Sequence, residues 1–168
     1  MAENREKETT EFVDHVISIR RVTKVTKGGK RFSFSVFVVS GNKEGVGIAL
    51  GKSREVSLAI AKATARARKN LIVICRRDTT IPYAVEGRHG ATKVVIRPAY
   101  KGTGKVAGGA VRAILDAAGI EDALTKAIGS GNGQNVAKAA LNALSKLRSA
   151  HHIARLRGKT VQEIIQGS

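Results

Sequence analysis

From Phe12 to Thr26 the chain is dense in β-branched residues: Val13, Val16, Ile17, Ile19, Val22, Thr23, Val25 and Thr26. Such side chains lose rotamer freedom in a helix and fit a pleated surface, so the segment predicts one long strand. Lys27-Gly28-Gly29-Lys30 follows. Paired glycines accept positive φ without steric cost, which makes this the tight turn of a hairpin. Beyond it Phe32, Phe34, Val36 and Val38 alternate with Ser33, Ser35, Phe37 and Val39. The alternation predicts a second strand with its better apolar face on the even positions, Phe32 and Phe34 in the core. A chain that opens this way must build an antiparallel sheet and cover it.

The covering element is legible further along. Gly41-Asn42 is a turn, and Val46, Ile48 and Leu50 alternate in a shorter third strand. From Arg54 to about Ile72 the period lengthens. Val56, Ile60, Ala63, Ala67 and Leu71 form one helical stripe and Lys62, Arg66 and Lys69 another, with Ser53 placed to cap the helix. A second half starts after Arg76-Arg77-Asp78. Pro82–Glu86 and Thr92–Arg97 read as strands joined at Gly87–Gly90, the second ended by Pro98. Gly102-Thr103-Gly104-Lys105 is a loop, and a helix runs from Gly109 to its stop at Gly119. Residues 122–128 read as a weak strand, 129–133 as a flexible loop, 135–147 as a helix, and 161–165 as a short terminal helix. The 168 residues thus divide into a flexible tail (1–10), a β-β-β-α unit (11–77) and a β-β-α-β-α unit (78–168), an α+β chain of two small α/β domains.

Charge narrows the function. The formal net charge is +17. Residues 20–77 carry 15 basic side chains against Glu44 and Glu55, so most of the excess sits in this one stretch. A charge kept for solubility would be spread more evenly, so the concentration points to a surface for a polyanion. Arg20, Arg21, Lys24, Lys27, Lys30 and Arg31 straddle the predicted hairpin around Gly28 and Gly29. Lys62, Arg66 and Lys69 share a helix face at i, i+4, i+7, and Lys52, Arg54, Arg76 and Arg77 complete the basic set. If about six to ten of these met phosphates, affinity would fall by roughly three to five decades between about 50 and 200 mM salt. With few aromatics available for stacking, recognition of structured RNA by backbone and shape fits better than single-strand readout.

Other chemistries find little support. No run nears the ~18 apolar residues of a membrane span, and MAENREKETTEF has no apolar stretch, so the expectation is a soluble, cytoplasmic chain. Cys75, the single cysteine, excludes an internal disulfide and reads as a structural thiol. His15, His89, His151 and His152 lack metal-ligand spacing, and no metal or cofactor is expected. Asp116, Glu121 and Asp122 read as the end of a helix and its turn. Gly45–Ser53 ends in Gly-Lys-Ser, but Val46 stands where a phosphate loop needs glycine, and the apolar alternation says strand. Lys30–Phe37 has aromatic spacing similar to the RNA-binding strand of RRM domains, without the preceding helix that fold requires. Gly102–Gly109, flanked by Lys101 and Lys105, leaves open an anion or partner contact at a helix start; for 129–134 plain turn chemistry suffices.

Four segments together are similar to one family: VTKVTKGGKRFSFSVFVVSGN, GVGIALGKSREV, VVIRPAYKGTGKVAGGAVRAILDAAGI and AIGSGNGQNVAKAALNAL. Their order and spacing resemble the bacterial small-subunit ribosomal protein S5 family over about residues 11–165. The resemblance implies a double-stranded-RNA-binding-like first domain and a second domain with a left-handed crossover. It implies a structural, non-enzymatic part in translation: binding rRNA through the hairpin, lining the mRNA entrance, and contacting ribosomal proteins S4 and S8. It further implies that Val22, Thr23 and Lys24 match the family's spectinomycin-resistance positions. Gly102, Thr103, Gly104, Lys105 and Arg112 match the region facing S4, where decoding accuracy is affected. The chain departs from the family pattern at Ser57, Gly133 and the Tyr100-Lys101 pair. Two other readings compete: an RNA chaperone outside the ribosome, and a kinase-like enzyme using Gly102–Gly109 as a phosphate loop. The Gly-Thr-Gly-Lys-Val-Ala order lacks the serine pair of such kinases.

Overall fold

The computed structural model describes residues 11–166. The predicted flexible tail lies outside them. Strand β1 (Val13–Thr26) pairs antiparallel with β2 (Gly29–Gly41), and β2 with β3 (Gly45–Ser53). Helix α1 (Val56–Lys69) follows, then a two-residue strand β4 (Ile72–Val73) on the free edge of β3. The second sheet holds β5 (Val85–His89), β6 (Thr92–Pro98), β7 (Lys105–Val106) and β8 (Ala123–Gly129) in the order β5-β6-β8-β7. Helix α2 (Gly109–Ala117) connects the parallel pair β7 and β8, and α3 (Gly133–Leu144) returns across β5 and β6. Helices α4 (Ala150–Arg157) and α5 (Val161–Gln166) close the described chain.

Helix α1 lies on the even face of β2, where Val36 and Val38 meet Ala59 and Ala63 in a small core. Burying each valine contributes roughly 1.5–3 kcal/mol. The odd face is buried too, contrary to the expectation of one better face. Phe37 and Val39 join Val46, Ile114, Leu115 and the α3 side chains in the main core. The cover comes from α2, supplied by the other half of the chain. The fit depends on Gly41, where a Cβ would lie 2.4 Å from the Ala117 carbonyl oxygen. Buried side chains from both halves therefore form a single cluster across the predicted division.

Several local expectations change, each for a reason. The helix N-cap is Glu55, without a side-chain bond, rather than Ser53, because Ser53 is still paired in β3. The helix stops at Lys69 and leaves Leu71 outside it, since Ile72–Val73 pair with Val46 and Gly45. Strand β5 begins at Val85, not Pro82, and runs through Gly87. Gly87 is there for α3: a Cβ would sit 2.1 Å from the Ala139 carbonyl oxygen, so the glycine marks a close approach rather than a turn. Helix α3 starts at Gly133, capped by Asn132, whose side chain accepts from the Gln134 N–H. Helix α4, capped by Ser149 and stopped by Gly158 at φ +63°, was not foreseen, and neither was β7.

Candidate nucleic-acid interface

The first sheet is unequal in length. β3 pairs with β2 only from Phe34 onward, while β1 and β2 continue together from Val22↔Ser33 to Thr26↔Gly29. The hairpin therefore leaves the body as a two-stranded arm of roughly 17 Å at ~3.4 Å per residue. Every residue from Ile19 to Phe32 is exposed. No carboxylate occurs between His15 and Lys43. Lys24, Lys27, Lys30 and Arg31 lie on this arm, with Gly28 and Gly29 at its tip, and Arg20 and Arg21 stand at its root, opposite Ser35 and Phe34, where β3 still pairs with β2. Lys24 and Arg31 stand directly opposite each other across the ribbon. Facing like charges weaken a strand pair modestly, and an anion placed between them relieves the repulsion. The pair Val25↔Lys30 and the Thr26 Oγ1 bond to the Gly29 carbonyl close the tip.

Where β3 ends, the arm's root forms an open cleft of about 510 Å³. Val22, Lys24 and Arg31 from one face of the ribbon and Thr23 and Phe32 from the other line it, with Lys52 near the end of β3 and Arg54 just past it. The cleft thus brings together four of the basic residues, Lys24, Arg31, Lys52 and Arg54, with Val22 and Thr23. Lys62, Arg66 and Lys69 occupy the outer face of α1. Arg66 donates to the Leu50 carbonyl at 3.2 Å, which lays it along the sheet. Arg76 and Arg77 belong to a different place, the link between the sheets. There Arg76 donates to the Gly119 carbonyl and Arg77 exchanges two backbone bonds with Thr80. Arg68, not singled out beforehand, braces the root of β1 through Asp14 at 2.6 Å and the ring of Phe12.

The aromatic expectation fails at Phe32. It is 48% exposed, because α1 covers β2 only at Val36 and Val38 and the arm runs past it. Its ring has the Arg21 guanidinium 4.8 Å from the centroid. Phe34 is half-buried.

The loop at Gly102 already holds an anion of its own. Asp122 is 3% exposed, and its Oδ1 accepts from the Gly104 N–H at 2.8 Å and the Gly102 N–H at 3.0 Å. The Gly104 N–H, then the Thr79 side chain and the Gly102 N–H, hold this carboxyl below the usual carboxylate range. Positive φ at Gly102 and Gly104 turns both amides inward. A phosphate loop needs those amides free, so the kinase-like reading loses its site. In sequence Asp122 reads as part of a turn; no local signal marks it as the centre of a loop 18 residues away. Lys105 pairs with Asp116, and Arg112 donates to the Lys105 carbonyl, so Lys105 and Arg112 belong to one braced corner. Tyr100, on the turn before them, is 92% exposed. Burial pushes the Cys75 thiol up, away from an activated thiolate.

Among the described residues no His, Cys, Asp and Glu group could hold a metal ion, and no helix is long and apolar enough to cross a membrane. Residues 12–75 match the family described as "Ribosomal protein S5, N-terminal domain", and residues 87–157 match "Ribosomal protein S5, C-terminal domain". Similar proteins include the small ribosomal subunit protein uS5 of Salinibacter ruber, 47% identical over 98% of this chain and 94% of that one. That of Thermotoga neapolitana is 49% identical over 97% and 92%. That of Syntrophobacter fumaroxidans is 51% identical over 92% and 93%.

Proposed function

The chain belongs to the ribosomal protein S5 family, structural proteins of the small ribosomal subunit, and from that premise we propose that its arm is the principal contact with small-subunit rRNA. The observation that carries this reading is the acid-free arm with four cations, Lys24 facing Arg31, and Arg20 and Arg21 at its root. Phosphates on either side of the ribbon neutralise it, and the cleft at its root takes a further turn of backbone between Lys24, Arg31, Lys52 and Arg54. Lys62, Arg66 and Lys69 on α1 extend the same field. Val22, Thr23 and Lys24 lie where the family's spectinomycin-resistance changes fall. Gly102, Thr103, Gly104, Lys105 and Arg112 form the corner that faces ribosomal protein S4, held in shape by Asp122 and Asp116 and able to bear on decoding accuracy. Arg76 and Arg77 are secondary RNA contacts, and ribosomal protein S8 and mRNA at the entry channel complete the partners of a cytoplasmic ribosome.

Replacing Lys24, Lys27, Lys30 and Arg31 with Ala tests the arm. The slope of log affinity for small-subunit rRNA against log salt should flatten by about 3–4. An unchanged slope removes the arm as the main electrostatic contact. Sedimentation with small subunits in a high-salt gradient, near one copy each, tests the setting; a chain that stays at the top of the gradient acts elsewhere as a free RNA binder.

A further inference from the structure

We propose that the arm has two working faces, and that the face carrying Phe32 stacks an unpaired RNA base while the other grips backbone phosphates. The inference rests on the RNA-binding reading above and makes it more specific. Strand alternation and register place Arg21, Thr23, Val25, Lys30 and Phe32 on one face. They place Arg20, Val22, Lys24, Arg31 and Ser33 on the other. The second face is mainly cationic and hydroxylated. The first exposes large apolar groups: Val25 at 70% and Phe32 at 48%.

Toward the tip from Phe34 no third strand among the described residues pairs with the ribbon, so these groups do not serve the sheet's core. The Arg21 guanidinium lies over the ring, 4.8 Å from its centroid, so the pair is already oriented and an incoming base stacks on the guanidinium–ring pair or takes the guanidinium's place, with less entropy lost than at a free ring. Arg21 and Lys30 flank it on the same face and can meet the phosphates of that nucleotide. Charge decides between RNA and an apolar protein patch. From His15 to Lys43 there is no carboxylate, so a neutral protein surface would leave cations on both faces uncompensated. The phenylalanine spacing in Lys30–Phe37 thus has a physical content that the alternation pattern concealed: one ring of the series is in solvent.

The test uses the full chain and two probes. One is a 12-nucleotide single-stranded RNA with a central 2-aminopurine; the other is the blunt duplex of the same sequence. The wild-type chain should quench the 2-aminopurine fluorescence of the single strand. Phe32→Leu should weaken single-strand binding about tenfold and abolish the quenching. Phe32→Tyr should retain both. Duplex affinity and its salt slope should be the same for all three proteins. Quenching that survives in Phe32→Leu overturns the proposal, as does an equal loss on single strand and duplex. Tight single-strand binding by the wild type without quenching also overturns it and gives this face to a protein partner. A wild-type chain that binds neither RNA fails the arm's RNA-binding reading itself, a result distinct from the others.

Discussion

Gly45–Ser53 and Gly102–Gly104 look alike in sequence, glycines beside a lysine, and each suggests a cradle for phosphate. In the structure they differ in kind. Gly47 and Gly51 sit in β3 with ordinary backbone angles, and what they contribute is space. A Cβ would lie 2.0 Å from the Ala67 carbonyl oxygen at Gly47 and 2.2 Å from that of Ala59 at Gly51. The α1 backbone rests on the strand there. Around Gly102 and Gly104 a Cβ would meet nothing within 4 Å, but φ is +92° and +75°. What these two contribute is conformation, which points two amides at Asp122. One segment is glycine because a helix comes close, the other because the chain must bend backwards. Neither keeps its amides for an outside ligand.

The comparison is broken most severely at Gly47. Gly47→Ala should destabilise by about 3 kcal/mol or more, since the obstacle is backbone that cannot turn aside. Urea unfolding measures it, and a loss near zero would mean that α1 is not seated there. Gly104→Ala should cost about 1–2 kcal/mol for the left-handed backbone alone, and Gly104→Asn less, since Asn tolerates that region. Asp122→Asn keeps an acceptor and loses the charge, so its melting temperature should fall by less again. Because folding depresses this carboxyl, its contribution is present above the ordinary carboxylate range, about pH 4. It is lost as pH falls through the folded value. The gap between wild type and Asp122→Asn should be flat at neutral pH and close in acid; a gap that widens in acid contradicts the assignment. At the small end, replacing Lys24 and Arg31 with Ala should leave the melting temperature unchanged or slightly higher, because a facing like-charge pair is removed.

The hairpin, its glycine tip, the third strand, the helix and the long strand β1 were all legible, as was the basic character of the arm. They rest on the β-branched content of Val13–Thr26, the apolar period and the placement of charge, which are properties of neighbours along the chain. Phe32 was misread for the same reason: alternation tells which face a ring is on and not whether anything lies above it. The site was half legible. Lys24 and Arg31 could be picked as cations, but their facing register and the cleft they share with Lys52 and Arg54 need the sheet.

By itself the sequence determined that this chain folds as strands with a covering helix and meets a polyanion, because periodicity and charge density are set locally. Only the tertiary structure decided that both faces of β2 are buried, since the second cover, α2, comes from the far half of the chain. It alone decided which glycines make room and which bend the chain. It alone placed Asp122 inside the loop of Gly102 and Gly104. Each of these depends on a contact between residues distant in sequence, where one packed arrangement satisfies the buried carboxylate, the close helix and the open arm at once.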